Sequence, residues 1–224
     1  MRRLLAAVAA AAACALACPP ASSAADPRIV GGQDADIASW PFLAAIVRAD
    51  RADAFQGQFC GGSLVAPRVV LTAAHCIDGR EIDVLLGRTV LSGDGGERIR
   101  VVEQALAPGY DAQTNRPDLA LLVLERAATA APVPLAVAPP APGTGVQVAG
   151  WGYVEQQPRE ISADTLQQAA LQVLPGRRCG DAFGPGFAGR EMVCAGTPEG
   201  GRPDSCNGDS GGPLVTRDLA GAPT

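Results

Sequence analysis

Short apolar runs separated by glycine- and proline-rich breaks dominate the chain from about residue 40 onward. "FCGGSLVAPRVVLTAAHC" reads as two strands joined by a turn at Ala66-Pro67-Arg68, with apolar, partly β-branched flanks. "EIDVLLGRTVL" and "ERIRVVEQALA" are strand-like, the second alternating at Ile99 and Val101. "DLALLVLE", from Asp118 to Glu125, is nearly continuous apolar sequence and fits a buried strand. "RAATAAPVPLAVAPPAPGTG" is rich in alanine and proline and reads as an extended linker. Beyond it, "VQVAGWG", "LQQAALQVL" and "MVCAG" restore the short-strand pattern. No long helical periodicity and no repeat of fixed period stands out. The pattern predicts an all-β chain in two halves joined near residues 126–142.

Composition narrows this picture. A chain of 224 residues can bury a substantial core, and 47 % hydrophobic residues exclude a disordered one. Gly 27 and Pro 19 agree with many turns. A net charge of −5 argues against a nucleic-acid or anionic-membrane surface. The opening "MRRLLAAVAAAAACALAC" carries Arg2 and Arg3, then an apolar run to Cys18, then small residues at Ser22–Ala25. That is the layout of a secretory signal peptide over residues 1–24, and the run is short for a membrane span. "ALAC" at Ala15–Cys18 loosely matches a lipid-attachment motif, so anchoring through Cys18 is the less favoured alternative to secretion. Cys14 and Cys18 leave with the signal, and Cys60, Cys76, Cys179, Cys194 and Cys206 remain, an odd set bound for an oxidising compartment. No pair has zinc-like spacing and there is a single histidine, so disulfides rather than a metal site are expected.

The chemistry concentrates in "SCNGDSGGPLV", where Ser210 lies among glycines. A serine becomes a useful nucleophile only beside a base that an acid orients. His75 is the chain's one histidine, so it is the base or there is none. "GDSGG" also fits the G-x-S-x-G elbow of α/β-hydrolases, but Pro213 and the β-rich Leu214-Val215-Thr216 follow where that fold needs a helix. No histidine follows Ser210, and alternating strands and helices are absent, so the elbow reading fails.

The strings "RIVGG", "GGSLVAPRVVLTAAHC", "DLALL", "GWG", "CAG" and "DSCNGDSGGPLV" together resemble the trypsin/chymotrypsin family of serine proteases, in the right order across residues 28–216. The resemblance implies two antiparallel six-stranded β-barrels, at residues 29–130 and 131–224, with the second incomplete. It implies a triad of His75 as base, Asp118 as orienting acid and Ser210 as nucleophile. Asp118 also opens a buried apolar strand, where a desolvated carboxylate needs a partner. Gly208 and Ser210 would supply the N–H donors of an oxyanion hole.

Disulfides Cys60–Cys76 and Cys179–Cys194 are likewise implied by the resemblance. Cys206 would then stay unpaired, its family partner lying past the nucleophile, and the chain reads as C-terminally truncated. "PRIVGG" reads as an activation site cut between Arg28 and Ile29, with residues 25–28 as a short propeptide. The freed Ile29 ammonium would pair with Asp209. Asp204 would sit at the base of the primary pocket and select Arg or Lys. The expected protein is thus a secreted endopeptidase acting on proteins or peptides. It would be open to proteinaceous inhibitors, need no cofactor or metal, and in its mature form engage neither nucleic acid nor membrane. The alternative is an inactive relative that only binds. The absence of lysine among 18 basic residues fits codon bias in a GC-rich, bacterial genome.

Overall fold

The computed structural model describes residues 32–155, 161–198, 200–201, 207–217 and 223. The signal and propeptide segments, Arg28, Ile29, Asp204 and Cys206 lie outside the described residues. The chain is all-β in two halves. A short strand β1 (Gln33–Asp34) is followed by β2 (Leu43–Arg48), a helical turn α1 (Ala54–Gly57), β3 (Gln58–Ala66), β4 (Val69–Thr72), β5 (Ile82–Leu86), β6 (Glu97–Leu106) and β7 (Ala120–Leu124). The second half contains β8 (Gly145–Gly150), β9 (Tyr153–Glu155), β10 (Ile161–Ser162), β11 (Gln167–Val173), a helix α2 (Gly176–Phe183), β12 (Ala195–Gly196) and β13 (Leu214–Val215).

Strands β2 to β7 close into a six-stranded antiparallel barrel in the order β2-β3-β4-β7-β6-β5. The sequence explains the closure. β2 reads Leu-Ala-Ala-Ile-Val and is buried at each of these positions, because one side fills the barrel and the other meets the second half. Leu64, Val70, Val84, Leu122 and Leu124 fill the interior at essentially zero exposure. Each such side chain contributes about 1.5–3 kcal/mol of burial free energy. Pro67 and Arg68 turn β3 into β4.

The described strands of the second half form an open five-stranded sheet, β1-β11-β8-β13, with β12 added to β11. β9 and β10 make a separate hairpin. β1 pairs with β11, Gln33 facing Gln168, so the first described strand lies on the second sheet and the chain then enters the barrel. The proline-rich stretch before β8 forms no strand and runs along the barrel, where Val133 is buried and its N–H donates to Leu64 O at 2.9 Å.

Two buried indoles lock the halves together. Trp40 Nε1 donates to Gln168 Oε1 at 2.9 Å, and Trp151 Nε1 donates to Thr89 O at 3.0 Å. Their rings supply apolar area while their single donors find partners across the junction. The Arg217 guanidinium stacks over the Trp40 ring at 4.6 Å and donates to Gln147 Oε1 at 2.6 Å.

Candidate active site

The barrel register builds the first part of the site. β4 runs antiparallel to β7 with Thr72 opposite Ala120. His75 follows β4 and Asp118 precedes β7, so both emerge at the same barrel end. There the Asp118 carboxylate grips His75 twice. Oδ1 accepts the His75 backbone N–H at 2.9 Å, and Oδ2 lies 2.7 Å from ring Nδ1. A carboxylate can only accept, so the neutral imidazole carries its proton on Nδ1 and leaves a lone pair on Nε2. The Asp118 side chain keeps 31 % of its exposure and that of His75 37 %. The carboxylate is therefore less desolvated than its place at the start of an apolar strand suggests, because it sits on the loop just ahead of β7.

That loop is itself tied across the molecule. Arg116 donates to Gly186 O at 2.6 Å, linking the approach to Asp118 with the turn after α2. Tyr110, on the same loop, donates to Asn115 Oδ1 at 3.0 Å. Burial, then the Asp118 and Asp111 carboxylates, push its hydroxyl above the usual phenol range, so it remains a neutral donor.

Ser210 arrives from the far end of the sequence. Its carbonyl accepts the Gly61 N–H at 2.8 Å, which docks the loop on β3. Cys76 Sγ lies 3.7 Å from the same oxygen, so Ser210 sits against the residue that follows His75. The structure joins Cys76 to Cys60 by a disulfide, Cα–Cα 6.3 Å, fastening the His75 turn to the start of β3. His75, Cys60 and Cys76 lie close enough to suggest a metal cluster, but the disulfide consumes both thiolates and Asp118 holds Nδ1. The second disulfide joins Cys179 of α2 to Cys194.

Gly211 shows why the loop needs its glycines. Its φ is +80°, and a Cβ there would overlap Thr72 Oγ1 and lie 2.8 Å from both Ala73 N and Gly61 O. Asp209 turns its carboxylate inward, where Oδ1 accepts the Gly152 N–H at 2.8 Å. Beside Ser210 opens a cavity of about 340 Å³, lined by Val148, Leu171 and Val193 and floored by residues 209–214. Of the residues singled out from sequence, the structure brings His75, Asp118, Gly208, Asp209 and Ser210 to this one place. Gln58, a polar residue at the start of β3, also reaches the loop and carried no motif to mark it.

Comparison with known proteins agrees with this architecture. The profile of the Trypsin family matches residues 29–221. A trypsin from Saccharopolyspora erythraea is 41 % identical over 193 residues, covering 84 % of this chain and 81 % of that protein. Human kallikrein-8 is 39 % identical over 204 residues, covering 87 % and 74 %. Among solved structures, mouse neuropsin, a serine protease, superposes with a TM-score of 0.72 at 34 % identity, covering 82 % of this chain and 81 % of that one. Barrel, site and relatives together define a trypsin-like serine protease. The chain belongs to the trypsin family and is a serine-type endopeptidase, with protein or peptide substrates.

Proposed function

We propose that Ser210, His75 and Asp118 form the catalytic triad of a secreted endopeptidase that cuts after Arg or Lys. The carrying observation is the two-point grip of Asp118 on His75, at 2.9 Å to the backbone N–H and 2.7 Å to Nδ1. In this reading His75 Nε2 takes the Ser210 hydroxyl proton as Oγ attacks the carbonyl carbon of the scissile bond. The N–H groups of Gly208 and Ser210 receive the resulting oxyanion. Collapse breaks the C–N bond, and His75 returns the proton to the leaving nitrogen. Water then attacks the Ser210 ester, His75 again accepting a proton, and the acid is released with Ser210 regenerated.

Three further features belong to the same proposal. Residues 1–24 direct secretion, residues 25–28 form the propeptide, and cleavage at Arg28–Ile29 frees an ammonium for Asp209. Asp204 gives the primary pocket its preference for cationic side chains. Proteinaceous inhibitors would compete at the same cleft. A serine-directed phosphonate tests the core of the reading. It should label Ser210 stoichiometrically in the activated protein and leave Ser210→Ala unlabelled. Absence of labelling in activated protein would favour a binding-only relative.

A further inference from the structure

The loop that would cradle the oxyanion is anchored carbonyl by carbonyl. Asn207 O accepts the Tyr153 N–H at 2.7 Å, Asp209 O accepts the Gly212 N–H at 2.9 Å, and Ser210 O accepts the Gly61 N–H at 2.8 Å. These anchors are all main chain and survive any side-chain change. Gly208 O is different. Its described partner is a side chain, Gln58 Nε2, at 2.8 Å and from the other half of the molecule. The second N–H of the same amide donates to Cys60 O at 3.2 Å, which braces Gln58 against the disulfide.

We infer that Gln58 is a positioning residue for the oxyanion hole, holding the Gly208–Asp209 peptide with its carbonyl turned toward β3 and away from the incoming oxyanion. This rests on the assignment of Gly208 and Ser210 as the oxyanion donors. The peptide unit is planar, so fixing one carbonyl fixes the whole unit. This unit lies between the two donor N–H groups. Gly208 has φ +93° and no side chain, so its own backbone resists rotation of that peptide weakly. Without Gln58, rotation would swing an acceptor oxygen toward the place where negative charge develops. The effect falls on the transition state, since the charge exists only there.

The test compares activated wild type with Gln58→Leu, Gln58→Glu and Gln58→His on a short arginyl peptide p-nitroanilide. Gln58→Leu keeps the volume and loses both donors. It should lower kcat about tenfold with KM within about twofold, short of the 100- to 1,000-fold cost of a lost direct donor. Gln58→Glu places an acceptor against Gly208 O and should be worse. Gln58→His restores an N–H and should recover much of kcat. Affinity for a peptide aldehyde, whose adduct carries the oxyanion, should fall in step with kcat, while affinity for the product peptide acid stays level. Ser210→Ala is run alongside. Wild-type kcat in Gln58→Leu with an inactive Ser210→Ala overturns the role of Gln58 alone. Losses shared by kcat, KM and the urea midpoint would make Gln58 merely structural and also overturn it. Should Gln58→Leu not fold, the shorter Gln58→Asn carries the same comparison. Full activity in Ser210→Ala overturns the underlying triad instead.

Discussion

Thr72 and Ala120 face each other across the β4–β7 ladder, and this register decides where the histidine and its carboxylate meet. A slip of one residue would turn β7 inside out and carry Asp118 away from His75. The pair is therefore a consequence of core packing, because Val70 and Leu122, the partners two residues away on the same face of the ladder, are both fully buried.

Asp118→Asn tests the orienting role with little change in shape. The amide can present an N–H where the carboxylate accepted, which favours the wrong imidazole tautomer. The expected loss in kcat is about 10⁴-fold, the size characteristic of this substitution in the type enzymes of the family. Steady-state kinetics with a far-ultraviolet circular dichroism spectrum checks it. Near-normal turnover with a native spectrum would overturn the proposed role of Asp118.

The disulfide offers a second test, on stability and activity together. Cys60–Cys76 closes a loop with a sequence separation of 16 residues, for which chain entropy predicts about 3 kcal/mol. Cys60→Ala with Cys76→Ala should lower the urea midpoint accordingly. Activity should fall further than stability alone requires, since Cys76 adjoins both His75 and the Ser210 carbonyl. Cys179→Ala with Cys194→Ala removes a bond of similar span, 15 residues, away from His75 and serves as the comparison. Equal losses of specific activity in the two double variants would contradict the local role.

Much of this arrangement was legible in the sequence, and the exceptions have physical reasons. The β3–β4 hairpin follows from two apolar runs around Pro67, and the linker from its prolines. His75 stood out because no other histidine competes with it. α2 did not stand out. Its sequence Gly-Arg-Arg-Cys-Gly-Asp-Ala-Phe has two glycines, no capping side chain and no buried residue, and it is fastened by the Cys179–Cys194 bond. The pairing of Gln33 with Gln168 is equally silent, because an edge strand of two exposed residues carries no alternation to read. Gln58 escaped for a related reason: its partner lies 150 residues away and is a backbone oxygen.

Glu97 should contribute to acid sensitivity. Its carboxylate accepts from Arg126 Nη1 at 2.6 Å, the Thr129 N–H at 2.6 Å and Thr129 Oγ1 at 2.9 Å, clasping β6 to the segment after β7. Burial alone would push Glu97 up, but these bonds outweigh it and hold the group below its ordinary value of 4.5. A lowered folded value means that the unfolded chain binds the proton more tightly. The stabilisation is therefore present above about 4.5 and is lost as pH falls through the lower folded value. Glu97→Gln should cost about 1–2 kcal/mol at neutral pH, and its stability should vary less below pH 5 than that of wild type. Urea titrations at neutral and acid pH check this. Parallel pH curves for the two proteins would show that Glu97 makes no such contribution.

Activation should depend on Arg28, through the loop that Asp209 anchors. The Asp209 carboxylate is held inward by the Gly152 N–H, and a Cβ at Gly152 would overlap it. A half-buried carboxylate turned inward beside Ser210 gains from a cation delivered into the same space. Cleavage at Arg28–Ile29 would create such a cation at the new terminus. If the pocket prefers arginine, the mature enzyme can also cut its own precursor at this bond. Pro27 restricts the backbone next to the bond and should keep that reaction slow. Arg28→Gln should therefore accumulate as uncut precursor with little activity, while Arg28→Lys, which keeps a cationic side chain before the bond, should still be processed. Asp209→Asn precursor, cut at Arg28–Ile29 by a trace of added active wild type, should remain poorly active, because the amide offers the ammonium no countercharge. N-terminal sequencing and peptide hydrolysis on the same samples separate cleavage from activation. An Arg28→Gln protein that reaches full activity with its N-terminus uncut would exclude this mechanism.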